Sequence, residues 1–202
     1  ILHYDGNGST TMNSGTTSTL YGVWGSSGSD AFAVGYNGTI RHYDGNSWSA
    51  MSGGGGWTLI AVWGSSASDV FVLGQSGAIY HYDGSSWSSM SSGTSEALYG
   101  VWGSSSNAVC AVGSDGTILH YDGSSWSPMN SSTTSHLQSV WGTTGSDVFV
   151  VGSGGTILHY DGINWSTMTS GMSIYLYGVW GSSGSDVFSV GWWGDILHYN
   201  GS

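Results

Sequence analysis

Gly116-Thr117-Ile118-Leu119-His120-Tyr121-Asp122-Gly123-Ser124-Ser125-Trp126 decides the fold, because it recurs. Its His-Tyr-Asp/Asn-Gly core begins at His3, His42, His81, His120, His159 and His198, each start 39 residues after the last. Val-Trp-Gly keeps the same step at Val23, Val62, Val101, Val140 and Val179. A fixed period of this size marks a repeat architecture, in which one supersecondary unit buries its apolar face on the next. The 202 residues read as a single domain, 1–202, with repeats starting near residues 20, 59, 98, 137 and 176.

Within the central repeat, four short apolar runs alternate with turn residues. Residues 98–102 are predicted as strand A, 108–112 as B, 117–121 as C and 125–129 as D, with a loop over 103–107. Asp122-Gly123 between two β runs is a strong hairpin signal, since glycine supplies the positive φ that such turns need. A Gly-x-x-Gly between B and C returns in every repeat, as at Gly113/Gly116. No stretch carries a 3.6-residue apolar period, so helix is not expected. Four antiparallel strands per ~40 residues is the pattern of a β-propeller blade. The middle of strand A is always small (Gly22, Ala61, Gly100, Ser139, Gly178), as crowding near an axis requires. The sequence thus predicts an all-β, five-bladed β-propeller.

The ends repeat the pattern in part. Residues 1–4 and 9–13 have the sequence of strands C and D, so 1–14 are expected to complete the last blade. Pairing of the N- and C-terminal strands would then close the ring and remove an exposed edge. Strand C nevertheless occurs twice, at 1–4 and at 196–199, and the spare copy offers a route to self-association between molecules. The chain opens within a repeat and is read as a piece of a longer product.

The Gly-x-Ile-x-x-Tyr-Asp-Gly strand and turn, the Trp that follows, and the strand ending in Val-Trp-Gly resemble tectonin-type and tachylectin-type propeller lectins. That resemblance implies carbohydrate binding, which five near-identical repeats would make multivalent.

Composition narrows the partners. Arg41 is the single cation against 12 acids, for a net charge of −11. Nucleic acid is therefore excluded as a partner, since phosphate binding runs on Lys and Arg, and anionic membrane surfaces are disfavoured for the same reason. No apolar run reaches the ~18 residues of a membrane span. Low charge with abundant Ser, Thr, Gly, Trp and Tyr suits a secreted or cell-surface protein that binds neutral glycans or a surface glycoconjugate. Cys110 stands where other repeats have Phe32, Phe71, Phe149 and Phe188, and reads as a small buried hydrophobe.

Candidate residues fall into three sets. His42, His81, His120, His159 and His198 recur around a ring rather than converging, so they are assigned a structural hydrogen-bonding role and no metal or cofactor is expected. Trp24, Trp63, Trp102, Trp141 and Trp180 follow the innermost strand and are assigned to blade packing. Trp48, Trp87, Trp126 and Trp165 open strand D and are candidate platforms for sugar rings. Tyr36, Trp57, Trp192 and Trp193 fall outside the repeat pattern, so core packing does not require them; they complete the ligand-binding candidates. An acid pair for glycoside hydrolysis would need one cleft with two facing carboxylates, which equivalent copies around a ring do not make, so no catalytic residue is assigned.

Overall fold

The computed structural model describes residues 1–201. Blade 1 is a four-stranded antiparallel sheet of Leu20–Ser27 (A), Asp30–Gly35 (B), Ile40–Tyr43 (C) and Trp48–Met51 (D). Blade 2 repeats it with Leu59–Ser66, Asp69–Gly74, Ile79–Tyr82 and Trp87–Met90. Blade 3 has Leu98–Ser105, Ala108–Gly113, Ile118–Tyr121 and Trp126–Met129, and blade 4 has Leu137–Thr144, Asp147–Gly152, Ile157–Tyr160 and Trp165–Met168. Among the described residues blade 5 has three strands, Leu176–Ser183, Asp186–Gly191 and Ile196–Tyr199. The all-β, five-bladed architecture stands.

Strand A is longer than its apolar run. It continues through Gly103 to Ser105, where Gly103 faces Val109 and Ser105 faces Ala108, so the expected loop shrinks to residues 106–107. Pairing with strand B overrides the polar composition there. At its other end, strand A carries an irregularity between Leu98 and Gly100, which makes Tyr99 a bulge residue. The same shift recurs in every blade, and bulges of this kind re-aim a side chain.

Between strands B and C, each blade has one turn of 3-10 helix, such as Ser114–Gly116. Gly116 has φ 68°, and a Cβ there would collide with the carbonyl of Thr133, so glycine is required on both counts.

Blades are joined by aromatic and aliphatic packing. Phe71 of blade 2 is fully buried, stacks on His81 at 4.5 Å, and meets Tyr121 and Trp126 of blade 3 edge-on at 5.2 and 5.9 Å. Trp63 lies over Gly103 of the next blade, as Trp24 lies over Gly64, Trp102 over Gly142 and Trp141 over Gly181; a Cβ at any of these glycines would press into the indole.

The expected closure does not occur. Residues 2–4 pair with 9–11 in a hairpin of their own, Leu2 facing Thr11, and neither strand joins the sheet of blade 5. The reason is local: Ile196–Tyr199 already fills the strand-C position beside Asp186–Gly191, and the turn at Asp5-Gly6 folds residues 2–4 onto their own strand D. Strand A of blade 1 packs on blade 2 and strand A of blade 5 on blade 4, leaving an open arc. Val23 at one end is 67% exposed and Trp180 at the other 61%.

Candidate functional site

The B–C turns and the D–A connections share one face of the arc. The amide of Gly38 donates to Trp57 O at 2.7 Å, that of Gly116 to Ser135 O at 2.9 Å and that of Gly155 to Ile174 O at 2.6 Å, each tying a turn to the connection that leads into the next blade. The repeats differ from one another mostly here. After the fixed Leu of strand A come Tyr21, Ile60, Tyr99, Gln138 and Tyr177; the B–C turns begin Tyr36, Gln75, Ser114, Ser153 and Trp192. The opposite face, built from the A–B and C–D turns, is nearly constant. There Asp44, Asp83, Asp122 and Asp161 accept backbone amides across Asx turns. These amides hold the carboxyls below the usual range, those of Asp83 and Asp122 at about 2 with help from Ser85 and Ser124.

The large exposed hydrophobics sort by location. Leu2, Tyr4, Val23, Trp180, Phe188, Val190 and Ile196 belong to the two open ends. Tyr21, Tyr36, Trp57, Tyr177, Trp192 and Trp193 lie on the face of the B–C turns, and Ile163 alone is on the other. Blade 5 concentrates the aromatics. Tyr175 and Tyr177 stack at 5.0 Å, Trp192 sits 6.0 and 6.2 Å from them, and Trp193 is 6.2 Å from Trp192. Burial raises the Tyr175 hydroxyl pKa, with further contributions from Tyr99 and Tyr177. Trp193 is 86% exposed and has φ 61°, the left-handed conformation that its equivalents Asn37, Ser76 and Asp115 also adopt. Asn and Asp tolerate that region; an indole there is an outlier of the kind found at functional surfaces.

Between the aromatic ends, blades 3 and 4 supply polar groups. Tyr99 and Ser114 share a hydrogen bond of 2.9 Å, the His136 amide donates to Ser153 Oγ at 3.0 Å, and the Asp115 amide approaches His136 Nδ1 at 3.4 Å. Among the described residues, no Lys or Arg side chain reaches this face. The guanidinium of Arg41 is buried and donates to Ser14 O at 2.7 Å and Trp48 O at 3.3 Å.

The other candidates are placed differently. Trp48 and Trp126 are 9% and 8% exposed, and Trp87 and Trp165 are half-buried. Their rings lie against Tyr43, Tyr82, Tyr121 and Tyr160 at 5.1–5.3 Å, and their Nε1 atoms are buried without a partner. This corrects the expectation that strand D offers open platforms: the neighbouring tyrosine lies against each indole, and Phe32 and Phe71 of the preceding blades lie against Trp87 and Trp126. Of the off-pattern set, Tyr36, Trp57, Trp192 and Trp193 are all exposed and share the variable face.

Four histidines bond within their blades. His42, His81, His159 and His198 place Nε2 2.6–2.7 Å from Asp30, Asp69, Asp147 and Asp186, whose other oxygens accept from Ser26, Ser65, Thr143 and Ser182. The carboxylate stands between hydroxyl and imidazole, so the imidazole bonds the carboxylate rather than the hydroxyl and the trio acts as a clamp. His120 is the exception to the role assigned from sequence, because Ala108 replaces the aspartate. In the same blade Cys110 replaces the phenylalanine under the imidazole; it is buried, which pushes its thiol up to about 12. Among the described residues, no group of three His, Cys, Asp or Glu side chains converges as a metal site would.

Sequence reasoning missed Tyr21, Tyr99, Tyr175 and Tyr177. Comparing the repeats position by position would have found them, since they vary beside residues that do not.

No protein-family model matches the chain, and no curated protein does. Solved structures do. YCF48 from Cyanidioschyzon merolae superimposes with a TM-score of 0.69 at 16% identity, over 91% of this chain and 67% of its own. The computationally designed Ika8 protein superimposes with a TM-score of 0.77 at 18% identity, over 92% of this chain and 59% of its own. The fold is that of a β-propeller. At these identities the likeness concerns architecture alone.

Proposed function

We propose that the chain is a non-enzymatic recognition module that holds neutral glycans on the face of its B–C turns, at a cell surface or in a secretion. The observation that supports this is the gathering of the four exposed off-pattern aromatics, with Tyr21 and Tyr177 beside them, on the one face where the repeats vary. Sugar C–H surfaces stack on indole and phenol rings, while Asp115, His136 and Ser153 offer hydrogen bonds to hydroxyls between the aromatic ends. With Arg41 buried, nothing on this face pairs with an anionic sugar. Two weak aromatic contacts at opposite ends of the arc would gain by avidity on a repetitive ligand.

A protein partner is the second reading. Tyr175, Tyr177 and Trp192 cover parts of one another's faces, forming a continuous aromatic patch rather than separate platforms, and such patches anchor protein contacts. A glycan array probed with the intact chain and with a W192A/W193A variant decides. Binding to one neutral sugar class that the variant loses supports the glycan reading. A blank array from folded protein refutes it and leaves the protein partner.

A further inference from the structure

The two ends of the arc are the two halves of a junction that the chain makes four times internally. At each internal junction, the A-strand Trp and the B- and C-strand apolar residues of one blade cover strand A of the next. Phe149 and Val151 of blade 4 are buried in this way. Their equivalents one repeat on, Phe188 and Val190 (47% exposed), are exposed on blade 5, as are Trp180 and Ile196 beside them. The receiving half is exposed on blade 1, where Val23 stands in the position of Val140, which is buried.

The N-terminal hairpin shapes the receiving end. It has the sequence of strands C and D of a preceding blade, and Arg41 of blade 1 donates to Ser14 O just after it. Ile1 and Leu2 line one side of a cleft of about 530 Å³, and Leu20, Tyr21, Val23 and Ala33 line the other. That cleft lies where strands A and B of a preceding blade would stand. Blade 5 presents such strands and, among the described residues, its sheet has no fourth strand. Residues 1–4 and 196–199 both read Ile-Leu-His-Tyr. Strand B of blade 5 can therefore exchange its own strand C for that of a second molecule without altering a single side chain, and residues 9–11 then supply strand D.

We infer that this chain associates head to tail with a second copy of itself, blade 5 of one molecule entering the cleft between hairpin and blade 1 of the next. Continuity with the four internal junctions carries the inference, because the second copy brings the same side chains at the same register. The contact is heterologous, so it ends in a ring of copies or in an open filament, according to whether the rotation closes.

The test measures mass by light scattering across a concentration series, for the chain and for V23D and V190D, which place a charge on the receiving and the donating half. Both residues are exposed, so both variants keep the blade fold, which circular dichroism and a thermal melt check. The chain is expected to exceed 21.0 kDa as concentration rises, whereas each variant alone stays at that mass. Mixing the two variants leaves one sound junction, between the receiving half of V190D and the donating half of V23D, and is expected to give a 1:1 dimer of doubled mass. A chain that stays monomeric at every concentration overturns the inference. So does association that survives both substitutions, or a mixture that fails to pair.

Discussion

Blade 3 lacks the clamp that the other four blades share, and A108D should restore it. Ala108 occupies the register position of Asp69 and Asp147, facing Ser105 as Asp69 faces Ser66. Ser104 stands where Ser65 donates, and His120 where His81 and His159 bond their aspartates at 2.6 and 2.7 Å. Room is available: Asp147 lies against Gly184 of the following blade, and Ala108 lies likewise against Gly145. The existing pairs are partly shielded, with 18–28% of each side chain exposed in blades 1, 2 and 4. A hydrogen bond between such groups contributes about 1 kcal/mol net, the ionic share being reduced by solvent. For a chain of this length that corresponds to a rise of roughly 2–4 °C in Tm. The assay is denaturant unfolding of the chain, A108D, H120A and the double variant, at about 0.15 M salt to screen the added charge. The coupling between positions 108 and 120 should account for most of the gain. If A108D stabilises the H120A background equally, or lowers stability, the clamp reasoning is wrong.

Three further outcomes are expected. W193G should raise unfolding free energy by about 1 kcal/mol, since glycine accepts the left-handed backbone, while weakening ligand binding; stability unchanged or lowered would argue against strain at that turn. Because Asp83 and Asp122 are held at about 2 against an ordinary 3.8, their contribution is fully present above pH 4 and is lost as pH falls towards 2. Melts from pH 6 to 2 should show that decline, and D83N should flatten it. Cys110, buried and held at about 12, should resist a thiol reagent at pH 8 in the folded chain and react once denatured; rapid labelling of native protein would contradict its placement.

The blades were legible because the 39-residue step repeats without slippage and each Asp-Gly turn announces its hairpin. The open arc was not, because the angle between blades arises from the packing of groups such as Phe71, Tyr121 and Trp126, which no local pattern encodes. The exposed tryptophans were separable only where they broke the repeat. Trp192 and Trp193 did so, whereas Trp48 and Trp126 obeyed it and are core. Tyr99 and Tyr177 sit within apolar strand runs, and only the bulge turns them out to the variable face. His120 looked equivalent to its counterparts because the motif around it is intact; its missing partner lies twelve residues earlier, in the adjacent strand.

Because each internal junction is built from the same register of side chains, the fold has no privileged blade. An insertion or loss of one 39-residue unit would create no new kind of contact, only one more or one fewer of the existing kind. The number of blades is thus a modular quantity, adjustable at the level of the coding sequence, while recognition varies independently in the turns of each module.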